Sequence, residues 1–304
     1  MNYIKQIIKK TFSNLVYEAS CIANDKQMFH IIANDMRNQC LRCLQSGITK
    51  ELHAEKEIVV SLTTHSKRLF DVYLTIESIM QGTMKPNHIV LWLEKDLANT
   101  IIPLYLQKQM KRGLEIRYCN DIRSYKKLIP TLKQFPDSII VTIDDDVIYL
   151  PDMLEKLVNA YNKSPYHIHA NRVSKIELKP DGTPMKYSCW KVVSNVGHSN
   201  LFFFTGVGGV LYPPSCFNEE VFNEEVFMSL APYGDDIWFF AMALLNGFTV
   251  NKVFTHDKVG NDFLINESVQ DISLFHVNTE GEKQNDKQIK AVFDRYNIYK
   301  HLKA

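Results

Sequence analysis

The segment that says most about this chain is Ser138-Ile-Ile-Val-Thr-Ile-Asp144-Asp145-Asp146-Val147, an apolar run that ends in three consecutive carboxylates. Residues 139–143 are mostly apolar and β-branched, which is typical of a short buried strand. Three adjacent carboxylates repel one another, and Mg²⁺ or Mn²⁺, which bind well to oxygen ligands, would relieve that repulsion. The carboxyl ends of strands are also where ligands bind in open α/β sheets. The segment therefore predicts a metal–diphosphate site, against the alternative of a solvated acidic turn that caps the next helix.

The chain before the aspartates alternates between strand and helix patterns. Apolar runs predict strands at 57–63, 88–93 and 114–118. Helical spacing of apolar residues predicts helices at 69–80, 97–112 and 128–134. A strand, a helix and a strand with short connections form a βαβ unit, so the sheet is expected to begin parallel. The predicted fold class is α/β, with a mixed and mostly parallel central sheet flanked by helices.

Three regions are expected along the chain. Residues 1–55 are polar and poor in glycine and proline, and they predict a helical N-terminal extension. The main α/β domain is expected over residues 56–280. The charged remainder, 281–304, is expected to be a C-terminal helical tail with an amphipathic helix near 287–300.

Composition limits the classes of protein to which the chain can belong. The sequence has 304 residues, a net charge of +1 and 45% hydrophobic residues, which argues against a nucleic-acid partner held by bulk electrostatics. Its six cysteines lack the spacing of a disulfide framework, and we find no secretory signal or membrane-spanning run, so a cytoplasmic protein is expected. Apolar residues between 4 and 15 recur at helical spacing among lysines. They indicate either peripheral contact with the inner face of the cell membrane or a helix packed on its own domain.

Two further motifs follow the aspartates in the second half of the chain. One is the glycine-containing stretch Gly206-Val-Gly-Gly-Val210, which lacks the spacing of a dinucleotide-binding fingerprint. The other is Gly234-Asp235-Asp236, an acidic pair before an apolar helix pattern. Together with Val59-Val-Ser-Leu-Thr-Thr64 and Asp144-Asp-Asp146, an Asp-x-Asp motif, these stretches resemble a GT-A-type glycosyltransferase. The resemblance covers roughly residues 57–280 and is nearest to the family 2-like bacterial enzymes that build surface polysaccharides such as lipopolysaccharide or capsule.

The resemblance implies a GT-A-like, Rossmann-like catalytic domain and gives the aspartates separate roles. Asp146 would bind Mn²⁺ or Mg²⁺ directly, and Asp144 would contact the ribose or the water shell of the metal. Asp145 is expected to point to the opposite side if strand geometry persists, where it would either contact the donor or only cap a helix. His276, from the C-terminal part, is the expected further metal ligand, with a structural histidine as the alternative.

The resemblance also implies where the donor nucleotide binds. Thr63 and Thr64, at the end of the first strand, would hold the nucleobase and ribose. Arg68 could meet a phosphate as a planar bidentate donor, and an exposed basic residue is the alternative. Lys127, or its neighbour Lys126, could reach the diphosphate, and a solvated pair is the alternative reading.

Asp235 and Asp236 are the candidates for the catalytic base. An inverting transfer needs a carboxylate that takes the proton of the acceptor hydroxyl while its oxygen attacks the anomeric carbon. The resemblance puts such a carboxylate at the start of this helix, and we favour Asp236. Since aspartate is a preferred N-cap residue, one or both could instead cap the helix.

The leading hypothesis is a metal-dependent, inverting glycosyltransferase that moves one sugar from a nucleotide-diphosphate sugar to a glycan or lipid-linked acceptor. A sugar-nucleotide nucleotidyltransferase is the second hypothesis, although the loop 63–68 lacks the glycines typical of that class. The third is a non-catalytic glycan-binding protein of the same fold. The sequence does not specify the donor sugar, the base, the acceptor or the oligomeric state.

Overall fold

A computed structural model describes residues 26–257, 260–272 and 284–302 of the chain. The helices of these residues are α1 (26–42), α2 (Val72–Met80), α3 (Leu104–Met110), α4 (Ile129–Gln134), α5 (Met153–Lys163), α6 (Glu224–Leu230), α7 (Asp235–Leu245) and α8 (Gln284–Tyr296). Short 3₁₀ helices at Ser66–Phe70, Arg123–Lys127, Gly206–Gly208 and Glu267–Ile272 carry several residues of the candidate site.

The strands form one large sheet and two small ones. They are β1 (Ile58–Thr63), β2 (His88–Glu94), β3 (Leu114–Cys119), β4 (Ile139–Thr142), β5 (Val147–Tyr149), β6 (His167–Ala170), β7 (Val173–Lys175), β8 (Lys191–Val192), β9 (Gly197–Ser199), β10 (Phe202–Phe204), β11 (Val210–Tyr212), β12 (Thr249–Lys252) and β13 (Phe263–Ile265). The central sheet has eight strands in the order β3-β2-β1-β4-β11-β6-β12-β9. A second sheet joins β10, β7 and β8, and a third pairs β13 with β5.

The central sheet is mixed and mostly parallel, as the sequence predicts. Strands β3, β2, β1 and β4 pair in parallel, and so do β6 and β12, whereas β11 runs antiparallel between β4 and β6. Helices pack on both faces of this sheet, which gives the core two large apolar clusters. The predicted α/β fold class is therefore confirmed. It brings the carboxyl ends of β1 and β4 side by side at one edge.

Two segments predicted as helical are only partly helical among the described residues. The helix predicted at 97–112 is α-helical over Leu104–Met110 and follows directly after Pro103. A proline disfavours helical backbone at the residue before it, so the helix does not extend toward residue 97. In the predicted N-terminal extension, 26–42 are helical but 43–57 are irregular. Gly47 lies in this stretch against the side chain of Met80, where a Cβ atom would come within 2.4 Å of that side chain. Among the described helices, none combines the length and apolar character that crossing a membrane requires.

A buried ion pair fixes α2 against α3 beneath the sheet. Arg112 Nη1 lies 2.8 Å from both carboxylate oxygens of Glu77, and both residues are buried. Gln109 and Gln81 donate further hydrogen bonds to the same carboxylate, at 3.0 and 2.8 Å. Because its partners satisfy it, the buried charge of Glu77 is tolerated.

We expect Arg112→Met to lower the free energy of unfolding by about 3–5 kcal/mol, because it leaves the Glu77 carboxylate buried without its cation. The double variant Glu77→Leu/Arg112→Met should recover most of this loss, since it removes both charges. Urea unfolding measures the free energy of unfolding of the single and the double variant. Lys290→Met, which breaks an exposed ion pair with Asp294, is the control and should change this free energy little. A single variant as stable as the wild type would contradict the role given to this pair.

Candidate active site

A cavity of about 1440 Å³ opens at the carboxyl ends of β1 and β4. It gathers the described candidates for donor binding, metal binding and catalysis, which are Thr63, Thr64, Arg68, Lys127, Asp144, Asp145, Asp146, Asp235 and Asp236. His276, the predicted further metal ligand, lies outside the described residues. The cavity thus brings together the first loop, the aspartates and the start of α7.

Arg68 is buried against the aspartates instead of projecting into the cavity as an exposed base. Its Nη1 lies 2.7 Å from Asp145 Oδ1, and its Nη2 lies 3.0 Å from Asp146 Oδ2. Asp145 therefore does not point away from Asp146, as strand alternation would require. Strand β4 ends at Thr142 and the backbone turns at 145–146, so the alternation stops before the aspartates. Burial raises the pKa of Asp146 to about 6, against the opposing effect of Arg68.

A second segment holds the aspartates from the other side. Strand β13 pairs with β5, and Asn266, just after β13, donates its backbone N–H to the carbonyl of Asp146 at 2.8 Å. Gln270 Nε2 donates to Asp146 Oδ2, also at 2.8 Å. Both side-chain contacts of Asp146 thus reach Oδ2. Sequence reasoning missed Gln270, because no local pattern marks a residue that arrives from so far along the chain.

Lys127 links the aspartate turn to the start of α7. Its buried ammonium lies 2.9 Å from Asp144 Oδ1 and 3.1 Å from Asp235 Oδ2. Burial lowers the pKa of Lys127, but the charges of Asp144, Asp235 and Asp236 outweigh that effect, so the net shift is upward and the group stays charged. Asp235 also accepts a hydrogen bond from Ser124 Oγ at 2.9 Å. Neither lysine is solvated, since Lys126 is buried between Glu94 and Asp121.

A chain of buried hydroxyl groups positions the backbone of Lys127. Ser61 on β1 donates to the Lys127 carbonyl at 2.6 Å and contacts Thr131 Oγ1 at 2.7 Å. Thr131 in turn accepts a hydrogen bond from Trp92 Nε1 at 2.7 Å. Because Ser61 uses its proton on the carbonyl, Thr131 is the donor between the two hydroxyls. Ser61, a polar residue buried within β1, therefore serves the site.

Asp236 is held differently from its neighbour. Its Oδ2 accepts the backbone N–H of Gly206 at 2.9 Å, and its Oδ1 is buried with no hydrogen-bond partner among the described residues. Burial, and then the negative charge of Asp235, raise the pKa of Asp236 to about 7. Such a carboxyl group can take up a proton near neutral pH.

The glycine stretch brings backbone close to these charges. A Cβ atom on Gly206 would lie 2.9 Å from Lys127 Nζ and 3.0 Å from Asp236 Oδ1. Gly209 has a φ of 86°, in the left-handed region that favours glycine. At Gly206 the backbone therefore approaches two charged side chains of the site closely.

The far wall of the cavity comes from the region between β6 and β11. Tyr187, Trp190 and Phe203 form an aromatic group there, with Trp190 and Phe203 rings 5.3 Å apart. Arg172 and Thr205 also line this side, and the Arg172 carbonyl accepts the backbone N–H of Thr205 at 3.0 Å. Tyr187 and Trp190 come from a short 3₁₀ turn and Phe203 comes from β10, so no periodic pattern in the sequence groups the three rings.

The charges around the cavity fit a divalent cation. Among the described lining residues, nine are aspartate or glutamate and five are lysine or arginine. No three His, Cys, Asp or Glu side chains of the described residues form a complete ligand group. However, Mg²⁺ is usually bound through one or two carboxylates plus substrate phosphates and waters. Asp144 and Asp146 could supply such a pair, because the contacts described above hold each through one oxygen.

No protein-family model and no curated protein matches the chain. Among solved structures, CMP-2-keto-3-deoxy-manno-octonic acid synthetase complexed with CTP is 12% identical, over 66% of this chain and 89% of that chain, with a TM-score of 0.37. A mannosyltransferase from Pyrobaculum calidifontis in complex with GDP-mannose and Mn²⁺ is 11% identical, over 77% of this chain and 64% of that chain, with a TM-score of 0.41. Likenesses at these values carry no inference about activity.

The raised pKa of Asp236 predicts a pH-dependent penalty in stability. The carboxyl group of Asp236 binds its proton more tightly in the folded state than in the unfolded chain. Protonation of Asp236 therefore stabilises the folded state at low pH, and this stabilisation is lost as pH rises from about 4 to about 7. Asp236→Asn removes the titration. We therefore expect the stability of the variant, relative to wild type, to increase over this range by up to about 1.4 kcal/mol per pH unit. Urea unfolding at several pH values measures this, with exposed Asp137→Asn as the control; parallel curves for Asp236→Asn and wild type would contradict the assignment.

Proposed function

We propose that the protein is a metal-dependent glycosyltransferase that moves one sugar from a nucleotide-diphosphate sugar to a glycan or lipid-linked acceptor, with inversion at the anomeric carbon. The observation that carries the proposal is that two unlike carboxylate groups line one cavity and meet at the ammonium of Lys127. One group, Asp144 to Asp146, is held by cations, and the other contains a carboxyl of raised pKa with one oxygen that has no hydrogen-bond partner among the described residues.

The aspartate turn would be the donor side of the site. Asp144 and Asp146 would hold Mn²⁺ or Mg²⁺, which neutralises the charge that grows on the leaving diphosphate. Lys127 and Arg68 keep the two carboxylates in place, so Arg68 is better understood as a positioning group than as a phosphate ligand. Thr63 and Thr64 line the same side, consistent with contact to the nucleoside.

Asp236 is the better candidate for the base. Asp235 is already engaged by Lys127 and Ser124, and since the N-cap of α7 is Gly234, neither aspartate caps the helix. The unpartnered Oδ1 of Asp236 could instead accept the proton of an acceptor hydroxyl as that oxygen attacks the anomeric carbon. Gly206 fixes the other oxygen of the same carboxylate through its backbone N–H.

The geometry favours transfer to a hydroxyl over nucleotidyl transfer. The loop 63–68 lacks glycine and folds its arginine back onto the aspartates, so it does not form an open phosphate-binding turn. A sugar-nucleotide nucleotidyltransferase also has no evident use for Asp236. The site would act at the cytoplasmic face of the membrane in building a bacterial surface polysaccharide, such as lipopolysaccharide or capsule.

Thermal unfolding with a panel of nucleoside diphosphates, each with and without Mn²⁺, tests the donor side. A ligand that binds the folded state alone raises the midpoint. We expect one nucleoside diphosphate to raise it by several degrees, and to need Mn²⁺ because the cavity carries an excess of carboxylates. Asp146→Asn should lose this shift, whereas Asp137→Asn should keep it. No shift with any nucleotide would favour a non-catalytic binding protein.

Asp236→Asn separates the base from donor binding. We expect at least a hundredfold loss of sugar transfer, in line with the usual contribution of general base catalysis, with the Mn²⁺-dependent nucleotide shift retained. The assay measures transfer to an acceptor and, separately, slow hydrolysis of the donor. A variant that transfers sugar at the wild-type rate would exclude Asp236 as the base. Asp235→Asn is the matched comparison.

A further inference from the structure

Gln270 is a neutral polar residue whose side chain contacts Asp146, one of the candidate metal-binding aspartates. It lies on the 3₁₀ helix Glu267–Ile272, and its Nε2 donates to Asp146 Oδ2 at 2.8 Å. The same oxygen lies 3.0 Å from Arg68 Nη2. We infer, resting on the function proposed above, that Gln270 is a positioning residue. It holds Oδ2 of Asp146 so that Oδ1 is presented to a divalent cation.

The amide of Gln270 is fixed at both of its donor positions. Besides Asp146, Nε2 donates to the backbone carbonyl of Asn266 at 3.3 Å. Asn266 in turn donates its own backbone N–H to the carbonyl of Asp146 at 2.8 Å. The backbone of Asn266 is therefore hydrogen-bonded both to the main chain of Asp146 and to the side-chain amide of Gln270. A rotation of the Asp146 side chain would break the contact with Gln270.

The segment that carries Gln270 is itself fastened to the aspartate turn. Strand β13 pairs with β5, which directly follows the three aspartates, and Ile265 lies opposite Val147. Arg68 Nη2 donates to the carbonyl of Val269 at 3.3 Å, next to Gln270 in the chain. Arg68 therefore binds the aspartates and this segment at once. The arrangement fixes the distance from Gln270 to Asp146 without help from a ligand.

A neutral amide suits this position better than a second cation. Arg68 already supplies a positive charge that Asp145 and Asp146 share. Another positive charge next to Asp146 would repel a divalent cation, whereas the amide orients the carboxylate and adds no net charge. Groups that hydrogen-bond to ligating carboxylates commonly change metal affinity 10–100-fold when they are removed.

The test is Mn²⁺ binding to the full chain without nucleotide, measured from the electron paramagnetic resonance signal of free Mn²⁺. We expect Gln270→Met to bind Mn²⁺ at least tenfold more weakly than wild type. Gln270→Asn, whose shorter side chain keeps the amide but cannot span the same distance, should show the same loss. Gln107→Met is the matched control, because exposed Gln107 donates to the backbone carbonyl of Ile102 and does not line the cavity.

The outcomes separate this inference from the proposed function. Without Mn²⁺, Gln270→Met should unfold near the wild-type temperature, and the rise in midpoint on adding Mn²⁺ should be smaller. If both Gln270 variants bind Mn²⁺ as tightly as wild type, the inference is wrong and the proposed function stands. If they lose stability equally with and without Mn²⁺, Gln270 is structural and the inference is also wrong. If wild type binds no Mn²⁺ in the presence or absence of nucleotide, the metal-dependent function itself is overturned.

Discussion

The site depends on the requirement that a buried carboxylate must have a partner. An ionised carboxylate that leaves water loses its hydration, and it stays charged in the interior only if cations or hydrogen-bond donors replace that hydration. Arg68 and Lys127 meet this need for Asp145, Asp146, Asp144 and Asp235. The compensation is incomplete, because carboxylates outnumber cations around the cavity. Burial, together with this remaining negative charge, explains the raised pKa of Asp236, and the same charge suits a divalent cation.

Much of the fold could be predicted because its first half is locally regular. Strands β1 to β4 are short apolar runs separated by helices, and α7 begins at the acidic pair as expected. The residues that complete the site could not be predicted in this way. Gln270 contacts Asp146 across 124 positions of sequence. Strand alternation would place Asp145 and Asp146 on opposite sides, so the sequence could not predict that Arg68 binds both; the turn at 145–146 makes this possible. Periodicity describes elements, whereas pairing of buried charges is decided by tertiary contact.

The two sides of the cavity are not independent pieces. Lys127 contacts one carboxylate from the turn after β4 and another from the start of α7, and the turn at Gly206 lies against Lys127 and Asp236. The hydroxyl chain from Trp92 through Thr131 and Ser61 then ties the backbone of Lys127 to the centre of the sheet. A substitution of Lys127 would therefore alter the positions of carboxylates on the proposed donor and acceptor sides together.

Strands β6 and β11 are neighbours in the central sheet and run antiparallel, so a short hairpin could have joined them. The chain instead makes a long excursion between Ala170 and Val210, which adds β9 to the far edge of the sheet and carries Arg172, Tyr187, Trp190 and Phe203 to the far wall. In evolutionary terms, such a detour can be replaced while its two anchoring strands keep their register. Selectivity for the proposed acceptor could then diverge among descendants of this chain, with the aspartates and their counter-charges inherited unchanged.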